Sequence, residues 1–199
     1  MENKIKKKGD ILITKVSLEK AVEIYNEKIV KDFLEDEIPP LFVYEKAIKE
    51  GVLECFVYED DGKEVGYIVT RKRDDLVFLL VLAINKDARG SGYGNKMLEE
   101  FKGTVKGSRV ILLEAENPEV KDIEDAEKIK REKRIRFYER LGFKVTQNLK
   151  YFLCGIDYKI LYYNIENDDE YNPKEVIDCM SKIYDNLLTD KTKLIMEEN

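Results

Sequence analysis

Hydrophobic and polar positions follow two different periods along the 199-residue chain. Runs that alternate or stay apolar for six to ten positions predict strands, and apolar residues recurring every three to four positions predict helices. The predicted order is β α α β β β α β α β β α, without an internal repeat or a low-complexity linker. The last ten or so residues are expected to fray. Strands are predicted at 11–16, 53–58, 64–70, 76–84, 109–116, 143–152 and 158–165, and helices at 17–35, 41–51, 95–102, 122–142 and 172–188.

The middle of the chain predicts the kind of sheet. Asp61-Gly62 separates two strand-like runs and indicates an antiparallel hairpin. The run "LVFLLVLAI" at 76–84 is apolar without alternation, which is typical of a strand buried on both faces near the centre of a sheet. We therefore expect an α/β (α+β) fold with a mixed, mostly antiparallel central sheet and helices on both faces. One domain is predicted over 1–199, with 165–199 as a C-terminal helical extension.

The junction between that central strand and the next helix reads "DARGSGYGN". Three glycines within five positions lose much conformational entropy on folding, so we expect the exposed backbone of this junction to have a function. The first amides of a helix lack internal partners and lie at the positive end of its dipole, so the turn can accept an anion. Arg89 adds a mobile positive charge. The alternative is a tight connection whose glycines only supply positive φ.

Two familiar phosphate-binding loops fit the junction poorly. A nucleotide-hydrolysing P-loop needs Gly-Lys-Ser/Thr, whereas Gly94 is followed by Asn95. A dinucleotide-binding fold needs its strand-turn-helix unit near the N-terminus and an acidic residue on the next strand. Glu114 and Glu116 on the strand at 109–116 keep that second alternative open.

Composition removes several classes of function. Thirty-five Lys plus Arg against 41 Asp plus Glu give a net charge of −6, which argues against a nucleic-acid partner. The absence of histidine removes catalytic triads built on that residue and the commonest zinc sites, so no metal is expected. Three widely spaced cysteines fit reduced thiols in the cytosol. The longest apolar run is about half a membrane span, so we expect a soluble, cytoplasmic protein without a membrane partner.

Two segments resemble a known family. "LAINKDARGSGYGNKML" resembles the acetyl-CoA signature of the GNAT family of N-acetyltransferases, in which Arg/Gln-x-x-Gly-x-Gly/Ala is met by Arg89, Gly92 and Gly94. "FYERLGFK" at 137–144 resembles a second family segment, where a helix ends and a strand begins. One predicted strand lies between the two motifs, as in the family. The resemblance covers about residues 11–164.

The resemblance implies an acyltransferase that moves an acetyl group from acetyl-CoA, its co-substrate, to a primary amine of a small molecule by direct attack. It also implies that a tyrosine at the position of Tyr138 protonates the departing thiolate, although a tyrosine beside a helix end could equally be a core residue. The pantetheine arm would lie on the strand backbone and the pyrophosphate on the loop amides. The cofactor-binding residues implied in this way are Leu82, Ile84, Arg89, Gly90, Ser91, Gly92, Tyr93, Gly94 and Asn95.

The acceptor side of the site differs from the family pattern. The strand at 76–84 has no acidic residue, although many relatives place a glutamate there. Glu114 and Glu116 alternate on the adjacent strand and are expected to point to the same face of the sheet. There they either bind the substrate amine or are solvated carboxylates. Relatives commonly carry Asn and Ala at the positions of Arg131 and Arg134, so we expect remodelled contacts.

Two other functions stay open. A non-catalytic, CoA-binding regulatory module would explain the missing strand glutamate. Acetylation of a protein amine would need an open groove, and acetylation of an aminoacyl-tRNA is disfavoured by the net charge. Assembly as a homodimer is a further open alternative.

Overall fold

A computed structural model describes residues 12–33, 38–166, 170–185 and 194–198. Within these ranges nine strands form one sheet in the order β1-β2-β3-β4-β5-β8-β7-β9, and β6 pairs with β8. Every pair of strands is antiparallel except β4 and β5, so the predicted mixed, mostly antiparallel sheet is confirmed. The strands are β1 (Leu12–Lys15), β2 (Leu53–Asp60), β3 (Lys63–Arg73), β4 (Leu76–Ile84), β5 (Val110–Glu116), β6 (Lys144–Val145), β7 (Leu149–Leu153), β8 (Ile156–Asn164) and β9 (Leu194–Glu198).

Helices cover both faces of the sheet. The first begins after Ser17, whose side chain accepts a hydrogen bond from the backbone of Lys20, and a π-helical turn (Tyr25–Ile29) interrupts it. One face carries this helix, α3 and α6, and the opposite face carries α4 and α5. The α-helices are α1 (Leu18–Ile24), α2 (Val30–Asp32), α3 (Leu41–Lys49), α4 (Tyr93–Thr104), α5 (Asp125–Arg140) and α6 (Pro173–Tyr184).

The central strand β4 contains a bulge. Val81 pairs with Val69 and Leu79 with Thr70, so Leu80 has no opposite residue on β3. An extra residue in a strand changes which side chains face each side of the sheet. Val77 and Leu79 therefore pack in the core under α4 and α5, whereas Val81, two positions further along, packs in the core under α1 and α3 on the other face.

The C-terminal part differs from the sequence prediction. Pro173–Tyr184 is helical as expected and begins with a capping box between Asn172 and Glu175. The predicted end of that helix, at 186–188, lies outside the described residues. Fraying of the last residues was a wrong prediction for Leu194–Glu198, which pairs antiparallel with β7. The extension at 165–199 is therefore not purely helical, because the alternating side chains of this strand can pack against α6 on one face.

Candidate functional site

A gap opens in the middle of the sheet. The parallel strands β4 and β5 pair over three residues only, 76–78 with 110–112, and diverge beyond that point. The second half of β4 is also less buried than its first half, which was not predicted from the continuous apolar run. Diverging strands leave backbone groups without a ladder partner, so the edge of β4 is available to a ligand.

The backbone groups of β4 that face the gap belong to two of the predicted residues. The N–H of Asn85 donates to the carbonyl oxygen of Val65 on β3 at 2.9 Å. Backbone direction alternates along an antiparallel strand, so the groups of Leu82 and Ile84 face away from β3 and towards the gap. The Ile84 carbonyl accepts a hydrogen bond from the Arg89 side chain at 3.0 Å.

The glycine loop lies at the end of this edge. Gly90 and Gly92 have φ of +80° and +79°, and a Cβ on either would meet no atom within 4 Å. Gly92 is the N-cap of α4 and provides no side-chain hydrogen bond, so the first-turn amides have no cap. Gly94 serves packing instead, because a Cβ there would lie 3.3 Å from the Phe137 ring. The loop thus offers amides beside open space.

The charges around the loop are partly engaged. Arg89 bonds to the Ile84 carbonyl and lies 3.4 Å from the Asp32 carboxylate, so the predicted mobile charge has partners here. The Tyr93 hydroxyl donates to Asp60 at 2.6 Å. Lys96, which the sequence interpretation missed, lies in the first turn of α4 with Nζ 5.5 Å from the Tyr93 ring centroid. The remaining predicted loop residues, Ser91 and Asn95, are exposed.

A cavity of about 120 Å³ lies beside the gap, on the face of the sheet that α1, α3 and α6 cover. Its walls come from β4, β5, the π-helical turn, the β7–β8 turn and α6, and the surfaces are mainly apolar and aromatic. The lining residues are Tyr25, Ile29, Phe33, Ile38, Pro39, Tyr44, Val69, Phe78, Leu80, Val81, Glu114, Leu153, Cys154, Ile156, Tyr158 and Tyr184.

Glu114 is the one carboxylate among the lining residues that the structure describes. Its Oε1 accepts hydrogen bonds from the hydroxyls of Tyr151 on β7 and Tyr184 on α6, the latter at 2.7 Å. Burial raises the pKa of Glu114 to about 7, and the two hydrogen bonds oppose that rise by favouring the ionised form. The two tyrosines are 37 and 70 residues away in sequence, so no local pattern indicates them.

Glu116 does not accompany Glu114 into the cavity. Its carboxylate pairs with Arg131 at 2.9 Å and with Arg134 at 2.5 Å, both on α5. Glu116 is the last residue of β5, where the side chain can turn towards the helix that follows. The expectation that both carboxylates serve the same surface is therefore wrong, and the two arginines that depart from the family pattern act as partners of Glu116.

Tyr138 lies on α5, on the face of the sheet opposite the cavity. Its ring packs against Phe137 and Phe143 with centroid distances of 5.0 and 5.6 Å. Burial raises the pKa of its hydroxyl to about 12. Tyr138 is thus buried and keeps its proton at neutral pH.

The part of the chain that the structure describes has neither a candidate metal site nor a candidate membrane-spanning helix. No group of three or more acidic or cysteine side chains there could hold a metal ion. None of the helices in the same ranges is both long enough and apolar enough to cross a bilayer.

Comparison with known proteins gives a consistent match. The family described as acetyltransferase (GNAT) domain matches residues 52–145. "Putative acetyltransferase YjbC" of Bacillus subtilis (strain 168) is 29% identical over 171 residues, covering 83% of this chain and 81% of that protein.

Solved structures share the fold. A GNAT-family structure from Bacteroides thetaiotaomicron has a TM-score of 0.71 at 21% identity, covering 88% of this chain and 97% of that one. Spermidine N-acetyltransferase from Vibrio cholerae, in complex with CoA and spermine, has a TM-score of 0.56 at 16% identity, covering 77% and 95%. Residues 52–145 thus match the acetyltransferase (GNAT) domain, and the chain shares its fold with the solved GNAT-family structure from Bacteroides thetaiotaomicron.

Proposed function

We propose that the protein transfers an acetyl group from acetyl-CoA to the primary amine of a small molecule by direct attack. The observation that carries this proposal is the gap between β4 and β5. On one side of it lies a glycine loop with uncapped amides, and on the other lies a cavity that contains a carboxylate. The loop amides suit the anionic cofactor, and the carboxylate in the cavity suits a cationic acceptor.

The loop and the β4 edge would hold acetyl-CoA, which supplies the acetyl group as a thioester. The open space beside Gly90 and Gly92 fits a pyrophosphate approaching the first-turn amides of α4. Lys96 adds a positive charge next to that position. The backbone groups of Leu82 and Ile84 would bind the pantetheine arm, with Arg89 and the exposed Ser91 and Asn95 at its outer end.

Glu114 would receive the acceptor amine. An alkylammonium group has a pKa of about 10, so it must lose a proton before it can attack a carbonyl carbon. A carboxylate with a pKa near 7 accepts that proton better than an ordinary glutamate would. The amine nitrogen then forms the new C–N bond to the acetyl carbon as the C–S bond breaks.

Tyr138 would stabilise the departing thiolate from the other side of the sheet. Its pKa of about 12 exceeds the thiol value of about 8.5, so a hydrogen bond to the thiolate is favoured over complete proton transfer. The nitrogen loses a second proton as the amide forms. The thiolate takes up one of the two protons, and the other leaves Glu114 for the solvent. Positioning of the two substrates contributes more to the rate than this single hydrogen bond.

The experiment is an acetyl-transfer assay on the full chain. Purified protein, acetyl-CoA and a panel of primary amines are incubated, and free CoA and acetylated amine are both quantified, the latter by mass spectrometry. We expect equal amounts of the two products, and we expect Glu114→Gln to lower the rate at least about a hundredfold at pH 7. Binding of acetyl-CoA without any product would instead support the regulatory module, and acetylation of peptides alone would support a protein substrate.

A further inference from the structure

We propose that the acceptor is a primary monoamine with a compact apolar body, such as a short branched alkylamine or an arylalkylamine. This inference rests on the proposed function, because it assigns the cavity next to Glu114 to the acceptor. It specifies what the proposed function leaves open, namely the charge and the shape of the molecule that carries the amine.

The cavity walls select an apolar body. Aromatic and aliphatic side chains form almost all of the lining, and the rings of Tyr25 and Tyr44 pack at a centroid distance of 5.0 Å. Tyr25 and Ile29 lie in the π-helical turn, whose wider winding changes the direction of side chains and is frequent at functional sites. A polar substrate body would lose its hydration here and find few hydrogen-bond partners besides tyrosine hydroxyls such as that of Tyr44.

The charges select a single ammonium group. Glu114 is the one carboxylate among the described lining residues, and neither lysine nor arginine is among them. One ammonium can pair with Glu114, but a second would find no counter-charge among the described lining residues. A substrate carboxylate would find no cation among the described lining residues and would lie close to Glu114, so amino acids fit less well than the corresponding amines.

The size of the cavity limits the body to about one ring. Its volume is about 120 Å³. An apolar cavity of about 150 Å³ in another protein binds benzene, so a phenyl ring or a branched chain of four to five carbons is the largest comfortable occupant. The long chain of a polyamine would have to extend out of the cavity.

A matched set of acceptors tests this inference. The value of kcat/KM is measured at saturating acetyl-CoA for 2-phenylethylamine, for 3-methylbutylamine, for L-phenylalanine, which adds a carboxylate to the same ring, and for spermidine. We expect both monoamines to exceed the amino acid and the polyamine by at least about tenfold, because the latter two bury an unpaired charge.

A variant tests whether the cavity determines that preference. Ile156 lines the cavity and is partly exposed, so Ile156→Asp adds a second carboxylate to the wall at small risk to folding. We expect it to shift the ratio of kcat/KM towards spermidine by about tenfold or more relative to the unchanged protein. Ile195→Asp is the matched control, because Ile195 is also apolar, is 47% exposed and does not line the cavity. Its selectivity should stay unchanged.

The outcomes separate this inference from the proposed function. Acetylation with a preference for spermidine, for L-phenylalanine or for peptides, or a selectivity unaffected by Ile156→Asp, would overturn the inference and leave acetyl transfer intact. A protein that fails to bind acetyl-CoA would overturn the proposed function and the inference together.

Discussion

Among single residues, Glu114 is the one whose chemistry depends most on the fold. An exposed glutamate has already lost its proton at pH values well below neutral, but burial raises the pKa of Glu114 to about 7. Only the ionised form can take a proton from an ammonium group. The value of kcat/KM should therefore rise with pH through about 7, and this limb of the profile should be absent in Glu114→Gln.

The hydroxyl of Tyr184 should set the position of that limb. Tyr184→Phe removes one of the hydrogen bonds that favour the ionised carboxylate, so the pKa of Glu114 and the midpoint of the limb should move to higher pH. Profiles of kcat/KM between pH 5.5 and 9 measure the shift. Tyr171→Phe is the control, because the Tyr171 hydroxyl contacts Arg109. Equal midpoints for the Tyr184 variant and the unchanged protein would refute this positioning role.

The hydroxyl of Tyr138 should affect turnover and not binding. Tyr138→Phe keeps the ring packing but removes the proposed donor to the thiolate. We expect kcat to fall by about tenfold, less than the hundredfold or more that is typical of acid catalysis, because a thiolate is already a tolerable leaving group. The KM for acetyl-CoA should change little. Tyr163→Phe provides the comparison, since the Tyr163 ring also packs against Phe143, at 5.5 Å. A Tyr138 variant with full kcat would leave this residue a core residue only.

Among the elements, the turn from β4 to α4 carries the cofactor proposal. Gly92→Val places a branched side chain in the open space beside the first-turn amides, so the affinity for acetyl-CoA should fall by at least about a hundredfold. Gly51→Val controls for backbone strain, because Gly51 has φ of +71° and equally open surroundings at the end of α3. Calorimetric titration and thermal unfolding of both variants separate the two effects. If the two variants are equally destabilised and Gly92→Val still binds acetyl-CoA with unchanged affinity, the loop is not the anion site.

Elements with local signals were predicted well. Three features were predicted from signals that lie within a few positions of the sequence. Turn residues indicate the Asp61-Gly62 hairpin, and the spacing of apolar residues indicates the central position of β4 and the helix after the glycine loop. The predicted strand at 143–152 is in fact two, β6 and β7, separated by a turn in which Asn148 has φ of +55°. The π-helical turn was also missed, because the apolar spacing there resembles that of an ordinary helix.

Contacts between distant elements could not be predicted. The gap between β4 and β5 depends on how far two parallel strands stay paired, and the apolar run of β4 gives no sign of where pairing ends. The hydrogen bonds that Tyr151 and Tyr184 donate to Glu114 arise only after β7 and α6 have packed. Glu116 was assigned by strand alternation, but its pairs with Arg131 and Arg134 depend on where α5 returns to the sheet.

In the whole molecule, the buried carboxylate should make folding stability depend on pH. The folded state holds the Glu114 proton more tightly than the unfolded state, so this contribution is fully present below pH 4.5 and is lost as pH rises through about 7. The difference between the unfolded and folded pKa values of Glu114 corresponds to about 3 kcal/mol of folding free energy. We expect Glu114→Gln to gain stability relative to the unchanged protein by about that amount between pH 4.5 and pH 8, as measured by urea unfolding. A pH-independent difference between the two proteins would contradict the raised pKa.

Binding of acetyl-CoA by the intact protein tests the central claim most directly. Calorimetric titration should give saturable binding of one acetyl-CoA per chain at concentrations below about one millimolar. Acetyl-pantetheine, which lacks the pyrophosphate, should bind at least about tenfold more weakly, because the loop amides would lose their anion. Absence of binding at millimolar acetyl-CoA, or equal affinity for the two compounds, would contradict a pyrophosphate site at the glycine loop.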